Sequence, residues 1–421
     1  MRSYLYLLLA TVVCYTQYSY AANTLTNSTA AVVTLQKSCG TTQNCSDNAA
    51  ELIDWIWGVR HPSAVSPLLV NIGPGTFIFA RQLSGSISPL PLCTNNGNVT
   101  FRGAGRQNTV INGYGGMATA DGFPAYGVVL KITNCTNLTF ENLTIRPESF
   151  DPTGESDSVH SISWVGGGNS VWNNVEVDSW YFGWIDKCSS SGVHSSHQWY
   201  ASSISSSGGY YNIPLWSGCA STKFYGGELI AKKQNNGGAA ATLVGVIADG
   251  QDVMVEIYGS LVRSVNEDPL STYPNHDPMP AFSGHGGLLA RNGATIHMHG
   301  GIVSVRSEGG GNDGVYGVKV VTNGMVHTPD TAFGLKASGT GLMERIIRES
   351  GSVSSPFQWP AGTTPPALVS VTGSDTFIET DCGPAGCQAG GSQPHLLIYS
   401  SSCSSTAGPW FDSVTGACRV E

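Results

Sequence analysis

Two stretches of this chain superimpose on each other, and that repeat constrains the fold more than any other feature. Asn137-Leu138-Thr139-Phe140-Glu141-Asn142-Leu143-Thr144-Ile145 aligns with Asn169-Ser170-Val171-Trp172-Asn173-Asn174-Val175-Glu176-Val177. Each reads as a strand, a one-residue bend and a second strand. Bulky apolar residues alternate with polar ones at period two, and an Asn sits at the break. Ser191-Gly192-Val193-His194-Ser195-Ser196-His197-Gln198-Trp199 fits the same frame less closely. In this alignment Asn142, Asn174 and Ser196 are the bend residues. They form an Asn/Ser ladder whose side chains bond from one turn of the chain to the next.

A second frame covers later residues. Phe224-Tyr225-Gly226-Gly227, Ile257-Tyr258-Gly259-Ser260 and Met298-His299-Gly300-Gly301 align, each followed by an apolar strand. Glycine replaces Asn at the bend, because it takes positive φ freely. The spacing between repeats is uneven, so loops are inserted between turns, as around Asp268-Pro269 and Tyr273-Pro274-Asn275. Repeated strand–bend–strand units that cannot bury a face alone must stack, which predicts a parallel β-helix.

Upstream, Ser46 or Asp47 can cap a segment in which Leu52, Ile53, Ile56 and Trp57 share one helical face. This predicts one short amphipathic helix, Asp47 to Val59. Next come Leu68-Leu69-Val70-Asn71-Ile72-Gly73-Pro74-Gly75-Thr76-Phe77 and Val99-Thr100-Phe101-Arg102-Gly103-Ala104-Gly105-Arg106, leading to Thr109-Val110-Ile111. A helix, a strand ending in Gly-Pro-Gly and this last segment resemble the opening of the pectate-lyase-like (pectin lyase fold) β-helices. The motif resemblance covers roughly residues 47–112 and continues to about residue 335 by pattern alone. It implies an all-β, right-handed parallel β-helix with an N-terminal capping helix, and it specifies architecture far better than activity.

The ends read differently. Arg2 followed by an apolar run to Val13, with Ser19 and Ala21 placed like a peptidase site, predicts a cleaved export signal over 1–21. The run is too short to span a bilayer. Residues 22–46 form a lead-in and 47–340 the β-helix, with the turns fading after about Phe333 and a short helix over Leu342 to Glu349. Residues 341–421, with a Pro-rich segment and four cysteines, are expected to form a disulfide-rich C-terminal cap over the last open edge.

Cysteine usage agrees with export. Of eleven cysteines, Cys14 would leave with the signal, and the ten remaining can all pair. Short-range candidate pairs are Cys39–Cys45, Cys382–Cys387 and Cys403–Cys418. The partners of Cys93, Cys135, Cys188 and Cys219 stay open. No close CxxC pair is present, so no zinc site of that kind is expected. A secreted or extracellular monomer is expected, periplasmic if the source is bacterial, with no membrane span. A formal charge of −9 and 12% charged residues argue against a nucleic-acid partner. The expected partner is a polysaccharide or a cell-surface glycan.

No complete catalytic signature is present. Gln251-Asp252, Gly284-His285-Gly286 and His276-Asp277-Pro278 are fragments of motifs. Three constellations remain. His194, His197 and Trp199 lie next to Asp186, Lys187 and Tyr200, with the two histidines in the Phe140 and Leu143 slots of the repeat. Histidines there would suit proton transfer. Lys232, Arg263 and Arg306 follow successive Gly bends, and in register they would form a positive stripe for acid groups of a polymer. Glu256, Glu267 and Glu308 are the anions available to pair them. Finally, Trp180, Tyr181, Tyr210 and Tyr211 fall in loops where aromatic rings could stack on sugars, while Trp172 and Trp216 should lie inside.

The sequence therefore predicts a secreted carbohydrate-active protein cleaving an acidic polysaccharide, by β-elimination or hydrolysis. His194, His197 and Arg263 would be catalytic. Lys232, Arg306, His299, Trp180, Tyr181 and Trp199 would bind substrate. No cofactor is required, though Ca2+ could bind. The alternative is a non-catalytic glycan-binding, adhesin-like or structural β-helix. Glycosylation sequons stand at Asn27, Asn44, Asn98, Asn134, Asn137 and Asn142, and for the last two a ladder role competes with modification.

Overall fold

A computed structural model describes residues 25, 28–36, 45–46, 49–83, 86–89, 91–113, 127–147, 159–189, 194–207, 211–233, 242–268, 284–308 and 314–337. It also describes the backbone of strands between 343 and 418. The expected export signal, Asp47, Tyr210, the 269–283 loop and one cysteine of each short-range pair lie outside the described residues, while Ser46, the other N-cap candidate, falls in the strand Cys45–Ser46.

The chain is all-β, dominated by one parallel, solenoid-like sheet of 23 strands. The helical segment near the start is shorter than expected: α-helix over Ala49–Trp55, then a π-helical turn over Ile56–Arg60. Its Leu52, Ile53, Trp55 and Ile56 join the main apolar core.

Each turn of the solenoid runs through three ladders, and the strands Gly127–Pro147 and Val159–Ser179 each cross all three. Leu138 pairs with Ser170 in the first ladder and Leu143 with Val175 in the second, while Leu130 pairs with Ile162 in the third. The repeat read from the sequence is therefore real. Asn142 and Asn174 sit at the corner between the first and second ladders with φ of 54° and 53°. Left-handed backbone suits Asn and Gly best among the residues. Asn174 Nδ2 donates to Asn142 Oδ1 at 2.7 Å. The same corner continues through Ala201, Gly226, Gly259 and Gly300, all at positive φ.

The third frame slips. Trp199 pairs with Trp172 and His197 with Ser170, so the bend falls at Ala201 rather than Ser196. An apolar ring outcompetes histidine for the core slot: Phe101, Phe140, Trp172, Trp199 and Phe224 form one interior stack, with centroids 4.0 Å apart at Phe140–Trp172 and 4.7 Å at Trp172–Trp199.

The turns do not end at residue 333. Met343–Arg348 is a strand paired with Val315–Val321, and Gly351–Ser354 pairs with Gly324–His327. The expected helix at 342–349 is absent because Ile346 and Ile347 suit a ladder that offers its open edge. Beyond it, five strands between Gln358 and Cys418 form a separate, mainly antiparallel sheet.

Two disulfides staple the corner between the third and first ladders. Cys93 bonds Cys135 and Cys188 bonds Cys219, each pair one turn apart. Among the described residues no helix is long and apolar enough to cross a membrane.

Candidate functional site

The three ladders offer three outer faces, and burial separates them. In the third ladder, Gly284–Arg291 and Val315–Val321 are buried on both sides. Its outer side carries a second apolar cluster that includes Ile185, Ile247, Leu289 and Tyr316. A sheet covered on both faces presents no groove to a ligand.

The first ladder is different. Its strands alternate buried and partly exposed residues, so its outer side chains form straight columns at the strand spacing of about 4.8 Å. One column runs Arg102, Glu141, Asn173, Tyr200, Tyr225, Tyr258, His299. Within it the rings stack. Tyr200–Tyr225, Tyr225–Tyr258 and Tyr258–His299 have centroids 5.0, 4.8 and 4.9 Å apart, with planes within 12°. The flanking column runs Gln198, Lys223, Glu256, His297, His327. A third column carries the Asn ladder: Asn137 Nδ2 donates to Asn98 Oδ1 at 2.9 Å, and Asn169 Nδ2 to Asn137 Oδ1 at 3.0 Å. Those bonds give the sequons at Asn98 and Asn137 a structural role.

Hydrogen bonds lock the columns together. Tyr200 Oη donates to Gln198 Oε1, and Tyr258 Oη to Glu256 Oε1, both at 2.7 Å. Lys223 Nζ pairs with Glu256 Oε2 at 2.7 Å. Burial opposes the charge on Glu256, but the Lys223 and Tyr258 hydrogen bonds outweigh it and hold the carboxyl below its usual range. Their bonds to Glu256 raise Tyr258 and Lys223 in turn. His297 is pushed down, first by burial and then by His327 and His299. At the corner beside this face, Gln251, Asp252, Asn292, Asn323, His297 and His327 help line an open cleft of about 930 Å³.

The candidates read from the sequence do not converge. His197 is fully buried, not poised for proton transfer. Ser170 Oγ and Ser195 Oγ lie 2.8 Å from its two ring nitrogens, and Trp164 and Trp184 meet it edge-on. Burial pushes its pKa down to about 3. His194 is exposed and lies beside the Cys188–Cys219 disulfide, at the far end of the first ladder from the bend. The two sulfurs near it are bonded to each other, so this group is no metal site. Asp186 is buried under the same corner, accepting from Trp184, Gly218 and Cys219.

The basic stripe is broken. Lys232 aligns with Val265 and then Arg306, whereas Arg263 aligns with Ile230 and Ser304, one column over. Lys232 is paired with Glu267 at 2.9 Å, and Arg306 with Glu308. Arg263 is exposed and carries no ion pair among the described residues. All three stand on the second ladder, around the corner from the aromatic column.

Trp180 and Tyr181 are buried at 4% and 7% exposure rather than standing in open loops, and Trp199 is wholly interior. Trp172 is interior as expected, but Trp216 packs on the outer side of the third ladder with Arg291 over its ring. Only His299, among the expected binding residues, belongs to the aromatic column. Tyr225 and Tyr258 were readable at the same slot of the glycine frame. Tyr200 was readable among the aromatics beside His194 and His197, but the slipped register kept it out of this column. No family model, curated protein or solved structure matches the chain.

Proposed function

We propose that this chain is an extracellular, non-catalytic binding protein of right-handed parallel β-helix form, related to the pectate-lyase-like superfamily. Its ligand is a carbohydrate polymer laid along the outer face of the first ladder. The helical segment over residues 49–60 would close the N-terminal end of the stack. The observation that carries the reading is the Tyr200–Tyr225–Tyr258–His299 column.

Stacked rings turn their edges and hydroxyls outward, so the column forms a narrow apolar ridge. Rows of amide, carboxylate and ammonium groups flank it at the same repeat. A regular row of this kind matches a repeating polymer better than a compact small molecule, which would need an enclosed, largely apolar pocket. Tyr200, 37% exposed at one end of the ring stack, offers its ring edge to a sugar. The two disulfides agree with an oxidising compartment.

The test is retention of the oxidised protein on immobilised neutral and acidic polysaccharides, with the Tyr200→Ala, Tyr225→Ala, Tyr258→Ala triple variant beside it. Retention of the parent on at least one polymer, lost in the variant, supports the reading. Equal retention of both sinks it. A second reading, cleavage of an acidic polymer, draws on the exposed Arg263. Growth of unsaturated-uronate absorbance, abolished by Arg263→Ala, would replace the first reading with that one.

A further inference from the structure

His297, His299 and His327 stand together at one end of the same outer face. His297 and His299 are two residues apart on one strand, so both point outward while Met298 between them is buried in the core. His327 lies directly across from His297 on the next turn. The His297 and His327 rings are 4.5 Å apart and nearly parallel, and His299 is 6.1 Å from His297. Met325 projects from the His327 strand on the same side, and at 38% exposure it is one of the few large apolar side chains left open to solvent. The open cleft runs past His297, His327 and Met325.

We propose that this cluster is a binding site for a late first-row transition ion. His297, His299 and His327 are the ligands, and water or the Met325 thioether takes the remaining position. Two imidazoles at i and i+2 on a strand, with a third across from them, can surround one ion from a single side and leave a position open. That is the arrangement of a three-histidine site. The donors select the metal class. Imidazole and thioether suit copper, zinc or nickel, whereas Ca2+ and Mg2+ need several oxygens. The nearest carboxylate in the column, Glu256, is already held by Lys223 and Tyr258. With the rings stacked, the nitrogens are not all within 4.8 Å of one another. Binding therefore turns the rings about their side-chain torsions and breaks their stacking. The site shares His299 with the aromatic column, but metal binding rests on the three imidazoles and not on Tyr200 or Tyr225, so either reading can fail without the other.

Titrating the untagged, oxidised full chain with ZnCl2 and with CuSO4 by calorimetry tests the proposal. One ion per chain is expected. The His297→Ala, His327→Ala double variant should weaken binding by at least about 100-fold, since even the loss of groups that merely support a ligand costs 10–100-fold. His194→Ala, which removes an exposed histidine elsewhere, should change nothing. Electron paramagnetic resonance of the Cu2+-loaded parent gives a readout that does not depend on any variant folding. Couplings from two or three imidazole nitrogens support the site. Couplings from one or none, no saturable binding, or undiminished binding by the double variant would overturn it.

Discussion

Acid should unfold this protein through histidines that the solvent never reaches. His197 lies at zero exposure between Trp164 and Trp184, and burial holds its pKa at about 3 instead of 6.5. His160 is also buried and held at about 3, by burial first and by Lys187 second. In the unfolded chain each takes a proton as pH falls below about 6.5, while the folded chain refuses it until about pH 3. Stability is therefore complete above pH 6.5 and is lost progressively down through that window. Each histidine removes up to about 1.4 kcal/mol per pH unit, or about 2.3 kcal/mol between pH 6.5 and 4.5. Asp186 works the other way. Burial raises its pKa, so the folded form holds that proton more tightly and its contribution grows as pH falls. A difference measurement cancels this opposing effect. His197→Gln keeps a group that can bond both serines and removes the titration. By urea unfolding near pH 7 the variant should be about 1–3 kcal/mol less stable than the parent. Between pH 6.5 and 4.5 it should lose about 2.3 kcal/mol less than the parent does. Parallel pH profiles for the two proteins would refute the assignment of His197 as a buried neutral base.

Adjacent bend glycines should respond unequally to the same substitution. Gly226 has φ of 62° and open space where an alanine methyl would sit, so Gly226→Ala should cost about 1–2 kcal/mol of backbone strain. Gly227 has φ of 113° and its Cβ would fall 2.0 Å from the Ser202 carbonyl oxygen, so Gly227→Ala should cost about 3 kcal/mol or more in the same urea assay. Removing the Cys188–Cys219 bond by the double Cys→Ser change should cost about 3–4 kcal/mol, because the bond closes a loop with a sequence separation of 31. A shift in urea midpoint smaller than about a third of that value would show that stacking alone holds this corner. Lys223→Met should release Glu256 and let its pKa rise, read by the carboxyl carbon shift in an NMR titration.

The parts of the fold legible in the sequence were those where a special residue type marks the geometry. Asn142, Asn174, Gly226, Gly259 and Gly300 sit at left-handed corners that few other residues tolerate, and each could be placed from its own neighbourhood. Ala201 occupies the same kind of corner at φ 45° with no such mark, and the frame slipped there. That one slip misassigned His194 and His197, and it kept Tyr200 out of the column of Tyr225 and Tyr258. The strands at 343–354 were missed because their pairing partner lies on the previous turn, which local propensity cannot register. The cation stripe failed on counting. Lys232 and Arg306 both stand six residues past their bend glycine, but Arg263 stands only four past Gly259, which moves it one column across.

In a stacked chain, inward positions repeat because the core selects them: Phe140, Trp172, Trp199 and Phe224 need no function to explain them. Outward positions are free of that selection, so a pattern repeated there needs a separate cause. Cross-turn stacking is one such cause, worth about 0.5–1.5 kcal/mol per aromatic pair beyond burial. It accounts for rings following rings. It does not account for the column keeping to one outer face while the second ladder carries Arg263, Lys232 and Arg306, nor for the change from tyrosine to histidine at its end. Stacking and recognition can be separated by experiment, because they respond to different chemistry. Phenylalanine at positions 225 and 258 keeps the rings stacked but removes the hydroxyls and the bond to Glu256. If the ladder serves stability alone, the Tyr225→Phe, Tyr258→Phe protein should unfold within about 1 kcal/mol of the parent and be retained on polysaccharide equally well. If it serves recognition, stability should hold within the same range while retention drops. A variant that loses both together would mean that the hydroxyl network, rather than the rings, organises this face.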